Sequence, residues 1–405
     1  MAITTVMPAS SAARIASRVR GDIDRSDLRS VPSRSVAMAR ICIGANGSHL
    51  LAPPVATGVT LTSMGPIEAL ERVAYLQDRG LMSSRKTEAF LRAAAVLRSL
   101  PDDELTRMIA SGTLTDLPGI GSSTAQVAMQ AASGQVPDRI VSLEETTQVP
   151  LGDGAGLRQA LRGDCHSHST WSDGGASIST MARTAAALGH EYLVVTDHSP
   201  RLTVAHGLNA ERLRAQIDEI DALNAELAPF RILTGIEVDI LADGELDQDS
   251  ELLSRLDLVV ASVHSKMGMD SKTMTERMVI AAASPHVDVL GHCTGRKVKG
   301  FGRDQWVVRP PSTFDADMVF AACARYGTAV EINCRPERQD PPPELLDLAL
   351  EWGCLISIDT DAHAPGHLEF LSYGCDKAVA HGIDPARILN TWTADDLTDW
   401  ANSKA

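Results

Sequence analysis

His166-Ser167-His168 closes the short apolar stretch 163–168, and Thr170-Trp171-Ser172-Asp173-Gly174 follows at once. In an extended strand, residues i and i+2 face the same side, so His166 and His168 converge on one point. The same punctuation recurs down the chain. Apolar or β-branched stretches at 192–197, 231–237, 257–263, 287–291, 328–332 and 355–360 end in Asp197-His198, Glu237, His264, His292, Glu331-Ile332-Asn333 and Asp359-Thr360-Asp361-Ala362-His363. Amphipathic stretches at 209–227, 273–283, 315–326 and 343–352 separate them. Seven βα repeats predict an α/β fold with a parallel sheet, closed or nearly closed into a barrel, after a Gly-rich linker near 152–156. In such barrels chemistry gathers where strands give way to loops.

Six of the twelve histidines stand at these strand ends, with acids at equivalent positions. Buried without a cation they would leave many polar groups unpaired, so the pattern predicts a metal site. Asp361 and His363 repeat the i, i+2 spacing and are expected to converge if extended geometry persists there. Mixed imidazole and carboxylate donors suit Zn, Mn or Fe. Cys165 and Cys293 flank ligand positions and are read as packing, and His49, His190, His206, His286, His367 and His381 as surface, helix-end or supporting residues.

These residues in this order resemble the PHP (polymerase and histidinol phosphatase) family over 160–385. The resemblance implies a distorted (β/α)7 TIM-like barrel with a trinuclear metal centre that hydrolyses phosphoesters. It implies that His166, His168, Glu237 and Asp361 hold one metal. Glu237 would bridge to a second, completed by His264 and His292, and Asp173, His198 and His363 would hold the third. Glu237, His264, His292 and Asp361 are thus the expected catalytic set. Clustered divalent ions stabilise charge on a pentavalent phosphate and acidify water, so a metal-bound hydroxide beside Glu237 is the expected nucleophile.

Upstream, 61–145 reads as a separate helical domain. Ile67, Leu70, Val73 and Leu76, then Phe90, Leu91, Ala94 and Leu97, follow helical spacing. Leu117-Pro118-Gly119-Ile120-Gly121 leads into Ser122-Ser123-Thr124-Ala125. A Gly-x-Gly hinge turns tightly and aims free N–H groups at an anion. This hinge resembles the helix-hairpin-helix of DNA repair proteins, and 64–145 resembles the N-terminal DNA-binding domain of bacterial family-X DNA polymerases. Gly119 and Gly121 are then the DNA-contact candidates. Residues 64–140 hold eight basic against nine acidic residues, so a purely structural role for the module stays open. Gly291-His292-x-Thr294-Gly295-Arg296 and Glu331-Ile332-Asn333 with Arg338-x-Asp340 resemble the PHP domain attached to those polymerases. The stretch 146–160 leaves no room for a nucleotidyl-transferase core, so polymerase activity is not expected.

Residues 1–60 are Ser-, Ala- and Arg-rich without periodicity and read as a disordered tail in which Asp22 and Asp24 have no metal role. The 405 residues carry 37 Lys and Arg against 52 Asp and Glu, a net charge of −15. That excludes a nucleic-acid-coating protein and requires a local cationic patch for any anionic partner. No apolar run reaches the ~18 residues of a membrane span, and seven scattered cysteines fit reduced thiols in a cytoplasmic chain. Residues 294–309 hold five basic residues against one acid, directly after His292. Arg296, Lys297, Lys299 and Arg303 are therefore the candidate phosphate clamps, with Arg338, Arg335 and Lys266 behind them. Two functions follow: a 3′-to-5′ nuclease or DNA-end-processing phosphodiesterase, or a small-molecule phosphatase of the histidinol-phosphate type. Both act on a phosphate ester, the first with DNA as partner.

Overall fold

The computed structural model describes residues 64–301 and 304–404. The tail read over 1–60 lies outside the described residues, as does Arg303. By its contacts the chain divides into two compact units, one built from 64–74 and Glu88–Ser142, the other from Tyr75–Thr87 and 143–404. The first is helical, with Asp102–Ser111 and Ser122–Ala132 as its complete helices and Leu97, Leu114, Val127, Ala128 and Ile140 among its buried residues. In the second, Arg79 holds Glu144 at 2.8 Å and Glu369 at 3.1 Å, and its Nε donates to Thr147 Oγ1.

The second unit is a parallel barrel. Its strands are β1 (Gly163–Ser167), β2 (Tyr192–Val195), β3 (Arg231–Asp239), β4 (Leu258–Ser262), β5 (Val289–Leu290), a separate antiparallel hairpin of β6 (Lys297–Lys299) and β7 (Trp306–Arg309), then β8 (Ala329–Asn333) and β9 (Ile356–Asp359). The seven-stranded sheet runs β1-β2-β3-β4-β5-β8-β9, and every pair in it is parallel. Stretches such as Tyr192-Leu193-Val194-Val195 are buried on both faces, as a sheet flanked by helices requires. Helices Ala210–Leu227, Ser271–Ala282 and Ala316–Tyr326 return the chain between strands. Asn209, Asp270 and Asp315 cap them by accepting the backbone N–H of Arg212, Thr273 and Met318. The hairpin β6–β7 falls within the basic stretch 294–309, to which the sequence reading assigned no strand.

The first and last strands meet by two devices. At the loop end, His168 N–H donates to Ala362 O (2.8 Å) beside a Ser167–Ala362 bridge. At the other end, the buried Asn390 side chain stands in for a strand. Its Oδ1 accepts from Ile358 N–H (2.7 Å), and its Nδ2 donates to Ile358 O (2.9 Å), Gly163 O (3.2 Å) and Asp359 Oδ1 (3.0 Å). Asn390→Ala leaves several of these buried groups unpaired. It is expected to lower the unfolding free energy by about 2–4 kcal/mol, at about 1–3 kcal/mol per orphaned group, read from the midpoint of urea denaturation.

Candidate metal centre

Glu237 sits inside β3 and is buried, and five imidazoles surround it. Its Oε1 lies 2.8 Å from His292 Nε2 and 3.2 Å from His264 Nε2. Its Oε2 lies 2.8 Å from His198 Nδ1, 3.5 Å from His166 Nε2 and 3.6 Å from His168 Nε2. Asp361 Oδ1 lies 3.3 Å from His168 Nε2 and 3.9 Å from His166 Nε2. On the outer side Asp173 Oδ1 lies 3.5 Å from the Nε2 of both His198 and His363. The nine residues singled out at the strand ends therefore lie together at one rim.

Three groupings have donor atoms close enough to share an ion: His168, Asp173, His198 and His363; His166, His168 and Asp361; and His198, Glu237 and His264. They differ from the expected partition in four places: Glu237 is not grouped with His166, His168 and Asp361, His292 falls outside all three groupings, and two imidazoles are shared differently. His168 falls within reach of the outer group as well as the inner one, and His198 leans toward Glu237. Asp361 and His363 do not converge by strand periodicity. β9 ends at Asp359 and Asp361 has φ of 50°, so a left-handed turn aims it. His292 also takes a positive φ, just after Gly291, where an added Cβ would lie 2.3 Å from Ser262 Oγ.

The donors fit divalent ions on the structure's own terms. His166 Nε2, both ring nitrogens of His168, His264 Nε2 and Glu237 Oε2 are buried and make no hydrogen bond. That many orphaned donor atoms facing one another is costly unless a cation collects them. The electrostatics favour the ligating form at His168, His292 and Asp361. At His166 and His264, by contrast, burial is outweighed by the surrounding carboxylates, Glu331 foremost for His166 and Glu237 for His264, which raise both rings, His264 to about 9. Burial first, then His363 and His198, holds His168 well below the usual imidazole range. Burial and then Arg338 lower His292 to about 3. Burial opposes ionisation of Asp361, but Arg338 and His166 outweigh it and hold the carboxyl well below its ordinary value.

Supporting residues complete the centre. Glu331 is fully buried in β8, accepts from His166 Nδ1 at 2.6 Å, and takes the His292 backbone N–H at 2.5 Å. Asp239 lies two residues beyond Glu237, on the same strand face, and meets His264 Nδ1 at 3.2 Å. Asn333 Nδ2 donates to Asp361 Oδ2 (3.1 Å) and Glu331 Oε2 (3.2 Å). Asp197 accepts from Ser169 Oγ (2.6 Å), Ser172 Oγ (2.5 Å) and Gln216 Nε2 (2.6 Å), which shapes the loop carrying Asp173. These acids stood at strand ends in the sequence with no role attached. Spacing marks which residues end a strand but not which imidazole each orients.

Several candidate clamps are reassigned. Arg296 spends its guanidinium on the carbonyls of Arg338 (3.1 Å) and Gln339, so it braces a turn. Arg338 Nε donates to Asp361 Oδ2 at 2.9 Å, with Arg335 Nη1 3.9 Å from Asp361 Oδ1. Arg335 Nη1 also reaches His363 Nδ1 at 2.8 Å. Lys297 and Lys299 are exposed on β6. Partial burial lowers Lys297, and the nearby charges of Arg338, Arg309 and Arg335 lower it further. It thus belongs to a cationic rim that includes Arg309. In the helical unit, Gly119 takes φ of 92°. The hinge N–H groups are not all free, because Gly121 donates to Thr124 Oγ1 (3.0 Å) and Ile120 to Leu117 O (3.1 Å). The cation beside the hinge comes from elsewhere in the chain: a Cβ on Gly119 would touch Arg92 Cδ at 3.7 Å.

Residues 164–335 match the family model described as the PHP domain. The barrel carries a PHP domain. The chain is 40% identical over 237 residues to the DNA polymerase/3′-5′ exonuclease PolX of Bacillus subtilis (strain 168), a match spanning 58% of this chain and 40% of that protein. It therefore covers well under half of that relative. A probable phosphatase of Thermoanaerobacter sp. (strain X514) is 29% identical over 241 residues, 56% of this chain and 89% of that one. The crystal structure of histidinol phosphate phosphatase from Lactococcus lactis, solved with zinc, L-histidinol and phosphate, aligns at 20% identity with a TM-score of 0.39, covering 55% of this chain and 94% of that one.

Glu331→Gln keeps the side-chain volume but weakens its pull on His166. It is expected to loosen metal retention by about 10- to 100-fold with the fold intact, measured by competition with a chromogenic chelator alongside circular dichroism.

Proposed function

We propose that this PHP-domain protein, a metal-dependent phosphoesterase, hydrolyses phosphodiesters at DNA 3′ ends. The observation that carries this reading is the cationic rim. A chain of net charge −15 sets Lys297 and Arg309 beside Arg335 and Arg338 at one edge of the metal centre; the last two pair with Asp361 and Glu337, which leaves Lys297 and Arg309 as the rim cations for substrate. That edge is suited to a substrate with phosphates beyond the one being cleaved. The likeness to the Bacillus subtilis exonuclease supports a nucleic-acid substrate.

His166, His168, Asp173, His198, Glu237, His264, His292, Asp361 and His363 would hold up to three divalent ions, Zn or Mn, with Fe also suited to the donors. Such ions supply Lewis-acid charge for the phosphoryl oxygens and make water acidic enough to attack at neutral pH. The chain's own groups do the rest. Glu331 and Asp239 fix the rings of His166 and His264 so that their Nε2 atoms face Glu237. Arg338 balances Asp361, which would otherwise be an uncompensated buried carboxylate. Lys297 and Arg309 are the rim cations placed to hold a flanking phosphate. In the helical unit, the Gly119–Gly121 hinge with Arg92 is the candidate contact for a DNA phosphate. No nucleophilic Ser or Cys is required: Cys165 and Cys293 are buried, and burial pushes both thiols well up.

A monoesterase reading is the alternative, favoured by the relatives named probable phosphatases. Protein reloaded with Mn²⁺ or Zn²⁺ should be given 3′-labelled oligonucleotide, p-nitrophenyl phosphate and histidinol phosphate in parallel. Release of the labelled terminal nucleotide is expected, and Glu237→Ala should abolish it. Lys297→Ala should raise KM for the oligonucleotide about tenfold, the value of one charge-assisted bond, with kcat kept. Turnover of the monoesters alone would assign the site to small phosphorylated metabolites instead.

A further inference from the structure

The hairpin β6–β7 has two unlike faces. Register pairs Lys299 with Trp306, Val298 with Val307 and Lys297 with Arg309. Cross-strand partners share a face, so Lys299 and Trp306 lie on one side; alternation puts Lys297 on that side too, and the register shift between Lys297 and Val298, which leaves Val308 without a cross-strand partner, brings Arg309 opposite Lys297. Val298, buried, lies on the other. Trp306 is 54% exposed, and Lys299 Nζ stands 5.6 Å from the centre of its ring. The exposed indole thus stands over one cation, Lys299, with Lys297 and Arg309 paired across the same hairpin.

The hairpin is anchored to the metal rim at both ends. At its base, Arg309 Nε donates to Gly295 O (2.8 Å), three residues beyond His292, and Val298 N–H donates to Glu337 O (2.8 Å). At its tip, Gln339 Nε2 donates to Gly300 O (3.1 Å) and Gln305 Nε2 to Gln339 Oε1 (2.7 Å). Gln339 follows Arg338, whose Nε holds Asp361. Trp306 therefore stands on an element braced to the turn that carries Arg338.

We infer that this face is a nucleotide-reading platform: Trp306 stacks on the terminal unpaired base of a single strand while Lys297, Lys299 and Arg309 hold its flanking phosphates. Cations interleaved with an exposed aromatic ring match the chemistry of a single-stranded nucleic acid. An acidic protein surface would satisfy the lysines without needing the indole. The inference rests on the phosphodiesterase reading and deepens it, because Trp306 would make the site choose an end with a base over a bare phosphate ester. Trp306 is a positioning residue here and takes no part in bond cleavage.

The test uses full-length protein and a 5′-labelled tetrathymidylate, with binding followed by fluorescence anisotropy and cleavage followed separately. A second oligomer carries an abasic 3′-terminal residue. Trp306→Ala is expected to weaken binding of the base-bearing oligomer and raise its KM by about 5- to 20-fold, the value of one base–aromatic stack, with kcat unchanged. Trp306→Phe should recover most of the loss. On the abasic oligomer wild type and Trp306→Ala should behave alike. Wild-type binding with this same pattern but no cleavage would uphold the platform and overturn the diesterase reading. Equal binding of the base-bearing oligomer by wild type and Trp306→Ala would overturn the platform, whatever the cleavage result. So would a wild-type protein that binds no oligomer and elutes as a dimer that Trp306→Ala converts to monomer, since the face would then be a protein interface.

Discussion

Everything at the barrel mouth depends on one buried carboxylate surrounded by more imidazoles than it can satisfy. Glu237 has two oxygens, and five rings stand within 3.6 Å of them. Two short contacts, from His292 and His198, account for its closest pairings. The remaining rings are buried with ring nitrogens that no protein group satisfies. A protein interior tolerates few such atoms, so the constellation makes sense only as a cage for cations. The same shortage explains the outer ring of acids. Glu331 and Asp239 each take the far nitrogen of one imidazole, which fixes the tautomer and points the other nitrogen inward.

The barrel exists to keep those strand ends at one height. Its seam between β1 and β9 is closed near the metals by the Ser167–Ala362 bridge and at the far end by Asn390. Beneath the seam lie Asp164 and Asp359. Burial, then each acid's charged neighbour, Asp359 for Asp164 and Glu331 for Asp359, raises both carboxyls, to about 7 and about 6. Thr360 and the N–H groups of His166 and Cys165 bind them. These bonds fix the backbone on either side of His166 and bring Asp361 against it from the last strand. Stability and ligand placement are thus carried by the same few residues, and a lesion in the seam would be felt at the metals.

Much of this was legible in the chain. Short runs such as 192–197 and 328–332 carry their strand character in β-branched residues, and an imidazole or carboxylate at each end marks the rim. The helices over 209–227 and 315–326 were legible from their apolar period. What could not be read is instructive. The hairpin β6–β7 hides because Trp306, Val307 and Val308 are mostly exposed and follow a basic run, so the stretch resembles a solvated loop. Arg296 looks like a clamp because a guanidinium's partners are set by the tertiary fold, and here they are two carbonyls from a turn about forty residues away. Asp361 and His363 have strand spacing, yet the turn after β9 decides their direction. Periodicity predicts sides of an element; it says nothing once the element has ended.

The overall charge of −15 sits awkwardly with an anionic substrate until distances are considered. At physiological ionic strength, exposed charges more than about 8–10 Å apart are largely screened from one another. A phosphate arriving at the rim therefore feels Lys297, Arg309, Arg335 and Arg338 far more than the acids spread over the rest of the chain. The cage itself would shift the balance further, since divalent ions bound among Glu237, Asp361 and Asp173 neutralise the carboxylates that would otherwise repel the substrate. Acidity elsewhere then becomes an aid to selectivity. It discourages adhesion of anionic polymers along the whole surface and, under the proposed function, leaves the rim with its hairpin as the place where a chain end would be held.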